Sequence, residues 1–162
     1  MLSSHSGRHE KGKAMTQRVG RVISDIAISA DGYSAGLNQT EDRPFGDDPP
    51  FHAPVFVLTH HPREPQPMDG GTTFYFVTDG IESALARACQ AAGDGDVAIQ
   101  GGATTINQYL AAGLIGELRL HIVPLTLGAG TRLFEGVPSL KLEQVESRAA
   151  TSVTHVTYRV LS

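Results

Sequence analysis

The stretch from residue 97 to residue 124 constrains the fold more than any other part of the sequence. Residues 97–100 are a short apolar run typical of a strand, and Gly101 and Gly102 follow it directly. Apolar residues then recur at helical spacing, and residues 117–124 alternate apolar with polar side chains as a half-exposed strand does. A strand, a glycine pair, a helix and a further strand in this order predict an α/β fold.

The rest of the chain adds strands to this pattern. The further strand candidates are residues 19–29, 54–59, 73–78, 139–146 and 152–161. The first of them ends at Asp31 and Gly32, a residue pair typical of a tight turn. The last two follow each other with no helix between them. The sequence therefore predicts a sheet that starts parallel and finishes with antiparallel edge strands.

A change of apolar period from two to 3.6 predicts an amphipathic helix that begins near Ile81 and ends at Gly93. Asp79 and Glu82 have the spacing of a capping box at its start. Cys89 falls on the apolar stripe of this helix. We therefore interpret Cys89 as a packing residue rather than a nucleophile, which would need a polar activating neighbour.

The first 18 residues are polar and basic and contain no apolar run. We expect them to form a disordered leader, followed by one domain over residues 19–162. Met15 lies just before the first apolar run and is an alternative start to Met1. The leader has the pattern of neither a signal peptide nor a membrane span, so we expect a cytoplasmic protein with no membrane partner.

Charge argues against a nucleic-acid partner. The chain has 13 Lys and Arg against 17 Asp and Glu, a formal net charge of −4. Binding to a phosphate backbone draws its energy from a basic surface, which this composition does not indicate. The single cysteine likewise excludes an internal disulfide.

The glycine pair is the first candidate for a binding site. Gly101 and Gly102 lie where a strand ends and a helix begins, and they let a ligand approach the backbone closely. A helix that starts at Ala103, Thr104 and Thr105 offers unpaired amides, a positive dipole end and two hydroxyls to an anion such as a pyrophosphate. A tight turn with no ligand is the alternative interpretation, because neither common phosphate-binding glycine motif is present.

A second candidate follows the strand 54–59. Thr59, His60, His61 and Arg63 place a hydroxyl, two imidazoles and a guanidinium at one sheet edge, and Arg63 could form a forked pair with a phosphate. We expect no metal there, because neighbouring histidines point apart and no third ligand is indicated. A plain loop is the alternative. The remaining candidate histidines, which we assign to surface or strand-face positions, are His52, His121 and His155.

Three segments together resemble the dihydrofolate-reductase-like family that includes the reductase domain of bacterial riboflavin biosynthesis. They are residues 26–36 (IAISADGYSAG), 54–64 (PVFVLTHHPRE) and 96–134, which ends in P-x-x-x-G-x-G-x-x-L-F. The resemblance covers nearly everything from residue 19 onward. It implies a three-layer α/β fold with a mostly parallel central sheet, antiparallel edge strands and helices on both faces. It also implies NADPH as the cofactor and reduction as the chemistry.

The resemblance assigns roles to residues already singled out. It places Asp31 and Gly32 beside the nicotinamide and the substrate, which makes Asp31 the candidate catalytic residue, either orienting a substrate group or relaying a proton. A simple turn residue before Gly32 is the alternative for Asp31. The cofactor-binding candidates are Gly101, Gly102, Ala103, Thr104 and Thr105 at the pyrophosphate, and Thr59, His60 and Arg63 at the adenine ribose and its 2′-phosphate. No metal is implied.

One segment departs from the family pattern. Members usually have several tens of residues more between the first-strand loop and the strand at 54–59, including a helix that lines the substrate cleft. Here residues 41–50 run almost straight across, so an internal segment near residues 46–50 is apparently missing. One wall of the substrate site and a sheet strand depend on that segment.

These features favour an NADPH-dependent reductase of a small heterocyclic substrate, pterin or aminopyrimidine-like, or of a carbonyl compound. A non-catalytic nucleotide-binding or dimeric remnant of the same fold is the alternative that the short bridge favours. A third interpretation is an interaction protein that associates through the polar face of residues 117–124. We expect a small-molecule substrate and a homodimer.

Overall fold

The computed structural model describes residues 1–4, 20–35 and 48–161. Within these ranges the elements in chain order are β1 (Leu2–Ser4), β2 (Val22–Ser29), β3 (Tyr33–Ala35), β4 (Pro54–Leu58), β5 (Gln66–Pro67), β6 (Thr73–Val77), α1 (Ile81–Ala92), β7 (Val97–Ile99), α2 (Ala103–Ala111), β8 (Glu117–Val123), β9 (Thr131–Arg132), β10 (Lys141–Ala150) and β11 (Val153–Leu161).

The chain divides into two compact units. The first comprises residues 1–21 and 43–98, and the second comprises residues 22–42 and 99–162. The predicted leader residues 5–18 and most of the short bridge, residues 40–47, lie outside the described residues.

The first unit has four strands in the order β1, β4, β6, β5. The β4 and β6 strands run parallel, from Pro54 opposite Thr73 to Leu58 opposite Val77, whereas β5 pairs antiparallel with β6. Helix α1 packs against β1 and β4 through the fully buried Ala84 and Ala88. The two strands predicted at 54–59 and 73–78 are therefore confirmed, each one residue shorter.

Residues 1–4 contradict the expected disorder of the leader. Strand β1 pairs antiparallel with β4, with Leu2 opposite Phe56 and Ser3 opposite Val55, and both Leu2 and Ser3 are completely buried. The prediction was wrong here because a single apolar side chain produces no sequence period. Burying one leucine is worth about 1.5–3 kcal/mol, and β4 offers it an unpaired edge.

Helix α1 confirms the predicted range and corrects two details. It ends at Gly93, which has a φ of 59°, as predicted. Its N-cap is Gly80 with no side-chain cap, and the Asp79 carboxylate accepts hydrogen bonds from Ser83 and Arg87 instead of forming a capping box. The Asp79 carboxylate is thus bound by side chains on the surface of α1 and does not cap the helix.

Cys89 is the second correction on α1. It is exposed, because Ala84 and Ala88 form the buried stripe and Cys89 lies one position further round the helix. Partial desolvation raises the pKa of its thiol above the ordinary 9.0. A thiol that stays protonated is not an activated nucleophile, so this part of the interpretation is retained.

The second unit contains strands in the order β10, β11, β8, β2. The β2 and β8 strands are parallel, from Ile23 opposite Glu117 to Ser29 opposite Val123. The β11 strand pairs antiparallel with β8 and with β10. A sheet that begins parallel and finishes with antiparallel edge strands is confirmed, with β10 starting two residues later than predicted.

Helix α2 supplies much of the core of the second unit. Its buried side chains are Ala103, Ile106, Asn107, Tyr109 and Leu110. Burial raises the pKa of the Tyr109 hydroxyl above its ordinary range, so this ring is a neutral packing group. Neither helix in the described part of the chain is long and apolar enough to cross a bilayer.

Candidate functional site

The start of α2 leaves backbone accessible to a ligand. Gly102 is the N-cap and, as glycine, has no side chain to cap the helix. The amides of Thr105 and Ile106 both donate to the Gly102 carbonyl, at 3.0 and 3.2 Å. A Cβ atom added at Gly102 would meet no atom of the described residues within 4 Å, so open space adjoins the backbone within this part of the chain. The strand, glycine pair and helix start predicted from the sequence are therefore present.

Ser34 occupies part of this helix start. Its hydroxyl accepts a hydrogen bond from the Ala103 amide at 3.3 Å and donates to the Thr131 carbonyl at 3.4 Å. The first amide of α2 is therefore satisfied by the protein itself. Among the described residues no acceptor is found for the next amide, that of Thr104. Ser34 was not identified from the sequence, because no local pattern connects it to a helix almost seventy residues later.

Asp31 makes three hydrogen bonds through its carboxylate. It accepts from the Ser29 hydroxyl at 2.6 Å and from the amides of Leu127 and Gly128 at 3.1 and 2.8 Å. These bonds, the one from Ser29 most strongly, lower the pKa of Asp31 from 3.8 to about 2. Asp31 is thus an anion at neutral pH that holds the start of the glycine-rich loop. This state does not suit a proton relay, and a catalytic role for Asp31 stays a prediction.

Asn107 holds the other end of the same loop. Its side-chain amide donates to the Arg132 carbonyl at 3.0 Å, and its carbonyl oxygen accepts from the Phe134 amide at 2.8 Å. The Leu133 amide between them donates to the Gly32 carbonyl. The loop is therefore fixed to α2 and to the Asp31 turn at once. A buried asparagine in a helical stripe is a usable sequence signal, because it needs partners.

Arg132 lies on the short β3–β9 pair. It is paired with Tyr33, and its guanidinium carbon lies 4.9 Å from the centre of the Tyr33 ring. No carboxylate pairs with Arg132 within the described ranges. A stacked, exposed guanidinium of this kind can bind an anionic group.

A groove lies beside α2. Its volume is about 290 Å³, and its lining residues are Thr104, Asn107, Gln108, Ala111, Thr131, Glu135 and Gly136. All but Ala111 and Gly136 carry a polar side chain. The groove therefore adjoins both the helix start and the loop that Asn107 holds.

The predicted phosphate edge belongs to the first unit. Thr59 follows β4, its amide donates to the Val77 carbonyl, and its hydroxyl accepts from the His61 amide at 3.1 Å. His60 and Arg63 are exposed, and the Arg63 guanidinium lies 5.6 Å from the centre of the Phe76 ring. Thr59, His60 and Arg63 thus follow the strand as predicted, with Thr59 half-buried and the side chains of His60 and Arg63 exposed.

One polar cluster was not expected from the sequence. The rings of His121 and His155 are joined by a 2.6 Å contact between their Nδ1 atoms, and Nε2 of His121 lies 2.5 Å from the Asp25 carboxylate. Partial desolvation, followed by the charges of Arg148 and His121, lowers the pKa of His155 from 6.5. Their strand-face positions agree with the sequence interpretation. No group of three or more His, Cys, Asp or Glu within the described residues has a metal-binding arrangement.

Comparison with solved structures identifies the fold as dihydrofolate-reductase-like. A candidate riboflavin biosynthesis protein from Shewanella sp. PV-4 matches with a TM-score of 0.69 and 23% identity, over 88% of this chain and 99% of that chain. The riboflavin biosynthesis reductase Rib7 of Saccharomyces cerevisiae matches at 0.58 and 12%, over 94% of both chains. Dihydrofolate reductase from Enterococcus faecalis, in complex with NADP(H), matches at 0.58 and 15%, over 89% and 98%. The predicted fold class is confirmed.

The family follows from the sequence match. The model of the RibD C-terminal domain matches residues 40–156, which is most of the chain. The chain therefore belongs to the RibD C-terminal domain family, and the resemblance stated from its motifs is confirmed. A search of the curated proteins found no match.

Proposed function

We propose that this chain is an NADPH-dependent reductase of riboflavin biosynthesis or a related route, which reduces a small heterocyclic substrate, pterin or aminopyrimidine-like, or a carbonyl compound. Membership of the RibD C-terminal domain family supports this proposal. Two matched structures add support, one a riboflavin biosynthesis reductase and the other a dihydrofolate reductase in complex with NADP(H). When bound, the cofactor would supply the hydride.

The observation that carries the proposal is the open backbone at the start of α2. The space beside Gly102 and the Thr104 amide, which has no acceptor among the described residues, fit a phosphate group, which helix N-termini attract. The hydroxyls of Thr104 and Thr105 would add hydrogen bonds, and Gly101 would let the ligand approach. Since the Ala103 amide is bound to Ser34, we assign Ala103 to packing beneath the phosphate rather than to contact with it.

In the first unit, we propose that Thr59, His60 and Arg63 bind the adenine ribose and its 2′-phosphate. The exposure of His60 and Arg63 and the absence of a carboxylate partner for Arg63 among the described residues support this role. A guanidinium can bind a phosphate through two parallel hydrogen bonds. NADH lacks the 2′-phosphate and could not form them. Preference for NADPH over NADH would therefore arise at this edge.

Binding can be tested by thermal unfolding with and without NADPH. A ligand at one hundred times its Kd stabilises the folded state by about 2.7 kcal/mol, so the melting temperature must rise. Gly102→Ala fills the open space with a methyl group and should abolish most of this rise while changing the ligand-free melting temperature little. Gly116→Ala is the matched control, since its new Cβ would meet only the Val22 carbonyl at 3.8 Å. An unchanged melting temperature of the wild type at saturating NADPH would contradict the proposal.

Turnover separates the reductase from the alternative of a non-catalytic remnant. The loss of reduced-nicotinamide absorbance is followed with a panel of pterins, aminopyrimidines and aldehydes. A reductase oxidises NADPH with at least one of them. Binding without oxidation across the panel would instead favour the remnant, which the short bridge over residues 41–50 suggests.

We also propose that two copies of the chain associate. All ten residues of the strand β10 are exposed, including the apolar Leu142 and Val145. An exposed strand edge with apolar side chains is a surface for pairing with another chain. Light scattering should therefore give the mass of a dimer, and Val145→Lys should lower it; a monomeric wild type would contradict this proposal.

A further inference from the structure

Phe134 has a backbone conformation that its side chain does not favour. Its φ is 70°, in the left-handed region, and among the described non-glycine residues only His52 shares this property. Such a conformation is strained for a bulky residue and tends to occur where function requires it. The Phe134 ring is nevertheless 38% exposed, so core packing does not explain why phenylalanine occupies this position.

The surrounding structure enforces this conformation. The Phe134 amide donates to the buried side chain of Asn107, which is only 8% exposed. The preceding residue, Leu133, has a buried side chain and donates its amide to Gly32. With Leu133 pointing inward and the amide held by α2, the Phe134 side chain is directed outward.

The backbone that carries this ring is fixed to the helix that bears the candidate phosphate site. Asn107 is on the second turn of α2, about 6 Å along the helix axis from Ala103 at the helix start. Ser34 also links α2 to the loop that carries Phe134, since its hydroxyl accepts from the Ala103 amide and donates to the Thr131 carbonyl. The loop that carries Phe134 is therefore fixed to the helix on which we propose that the cofactor binds.

We propose that Phe134 contacts the bound ligand, with its ring packed against a heteroaromatic ring of the nicotinamide cofactor or of the substrate. This inference rests on the proposed function. A strained, exposed aromatic ring on a loop fixed to the helix of the candidate phosphate site is suited to stacking, which aromatic pairs favour in offset or edge-to-face geometry. Asn107 holds the backbone that presents the ring.

The test uses the variant Phe134→Gly, which should weaken ligand binding and leave stability almost unchanged. Glycine accepts a φ of 70° without strain, so relief of strain should offset the loss of a half-exposed ring and leave the melting temperature almost unchanged. Ligand affinity should fall about 2- to 12-fold, the range that corresponds to one aromatic contact. Phe134→Tyr keeps the ring and should restore wild-type binding. Leu125→Ala is the control, because Leu125 is also apolar and 48% exposed.

Two titrations identify the ring that Phe134 contacts. A weaker Kd for NADPH alone in Phe134→Gly assigns the contact to the cofactor, whereas an unchanged Kd with a raised KM for the oxidised substrate assigns it to the substrate. If the wild type binds NADPH and turns over, and Phe134→Gly does both equally well, the inference is overturned and the proposed function stands. If the wild type neither binds nor turns over, the proposed function fails first, and this inference fails with it.

Discussion

The two regions proposed to bind the cofactor differ in how firmly the fold holds them. Around the start of α2, Ser34, Asp31 and Asn107 fix the backbone with side-chain hydrogen bonds that link segments far apart in the sequence. After β4, the Thr59 hydroxyl accepts a hydrogen bond from its near neighbour His61, and Arg63 is exposed. The first region is preorganised, whereas the second must order its side chains when a ligand binds, which costs affinity.

The difference has a functional meaning. A rigid helix start can orient the part of a ligand that reacts, because small displacements there reduce the rate strongly. An exposed guanidinium can instead favour a negatively charged ligand without holding it in a precise geometry. We therefore expect substitutions of the side chains that fix the α2 region, such as Asn107, to change folding and binding together. Substitutions after β4 should change binding alone.

The largest effect is expected for Asn107→Leu. It leaves the Arg132 carbonyl and the Phe134 amide without their partner, and each unsatisfied buried group costs about 1–3 kcal/mol. The free energy of unfolding, measured by urea denaturation, should fall by roughly 2–4 kcal/mol. Gln108→Leu, on the exposed neighbour, should change it by less than about 0.5 kcal/mol. Equal effects of the two would show that the α2 region is not preorganised by Asn107.

Arg63→Ala should affect binding without affecting folding. Loss of a charge-assisted phosphate contact of about 1.5–3 kcal/mol corresponds to a Kd for NADPH that is roughly 10- to 150-fold weaker. The Kd for NADH and the melting temperature should stay at their wild-type values. Arg87→Ala is the control, since that arginine pairs with Asp79 on the surface of α1. Equal weakening for NADPH and NADH would assign Arg63 to something other than the 2′-phosphate.

The low pKa of Asp31 predicts a dependence of stability on pH. Because folding depresses this pKa from 3.8 to about 2, the Asp31 hydrogen bonds stabilise the folded state fully above pH 3.8. That contribution disappears as the pH falls through about 2. Asp31→Asn should therefore be less stable than the wild type at neutral pH, and the difference should narrow in acid. Asp94→Asn, at an exposed turn, serves as the control; a difference that stays constant down to pH 2 would refute the role of the carboxylate.

The smallest effect is expected for Thr59→Val. It removes one exposed hydrogen bond to the His61 amide, so the free energy of unfolding should change by less than about 0.5 kcal/mol. If Thr59 also contacts the cofactor, the Kd for NADPH should weaken by a factor of about 2 to 10, as for one net hydrogen bond. A loss of stability as large as that of Asn107→Leu would remove the contrast between the two regions.

The sequence was sufficient where a feature depends on neighbouring residues. Gly101, Gly102 and the helix after them form a local pattern, and so do the alternating strands and the Gly93 helix end. Family motifs supplied the remaining topology, because the order of strands in a sheet is a non-local property that periodicity does not encode.

The sequence was insufficient where a side chain bonds a distant segment. Ser34, Asn107 and Arg132 acquire their roles only when β3, α2 and β9 come together. Asp79 shows the same limit at short range. Its carboxylate could either cap the helix or accept hydrogen bonds from side chains further along it, and in the structure it accepts from Ser83 and Arg87. Cys89 was misplaced because adjacent positions on a helix differ by only 100°.

Strand β1 also bears on the order in which the first unit folds. Leu2 is opposite Phe56, so pairing β1 with β4 closes a long loop and costs conformational entropy. Burial of Leu2 offsets this cost only when β4 and α1 are already packed together. We expect β1 to dock late, after the transition state. Leu2→Ala would then speed unfolding severalfold and leave the refolding rate almost unchanged. This short strand therefore slows the unfolding of the first unit.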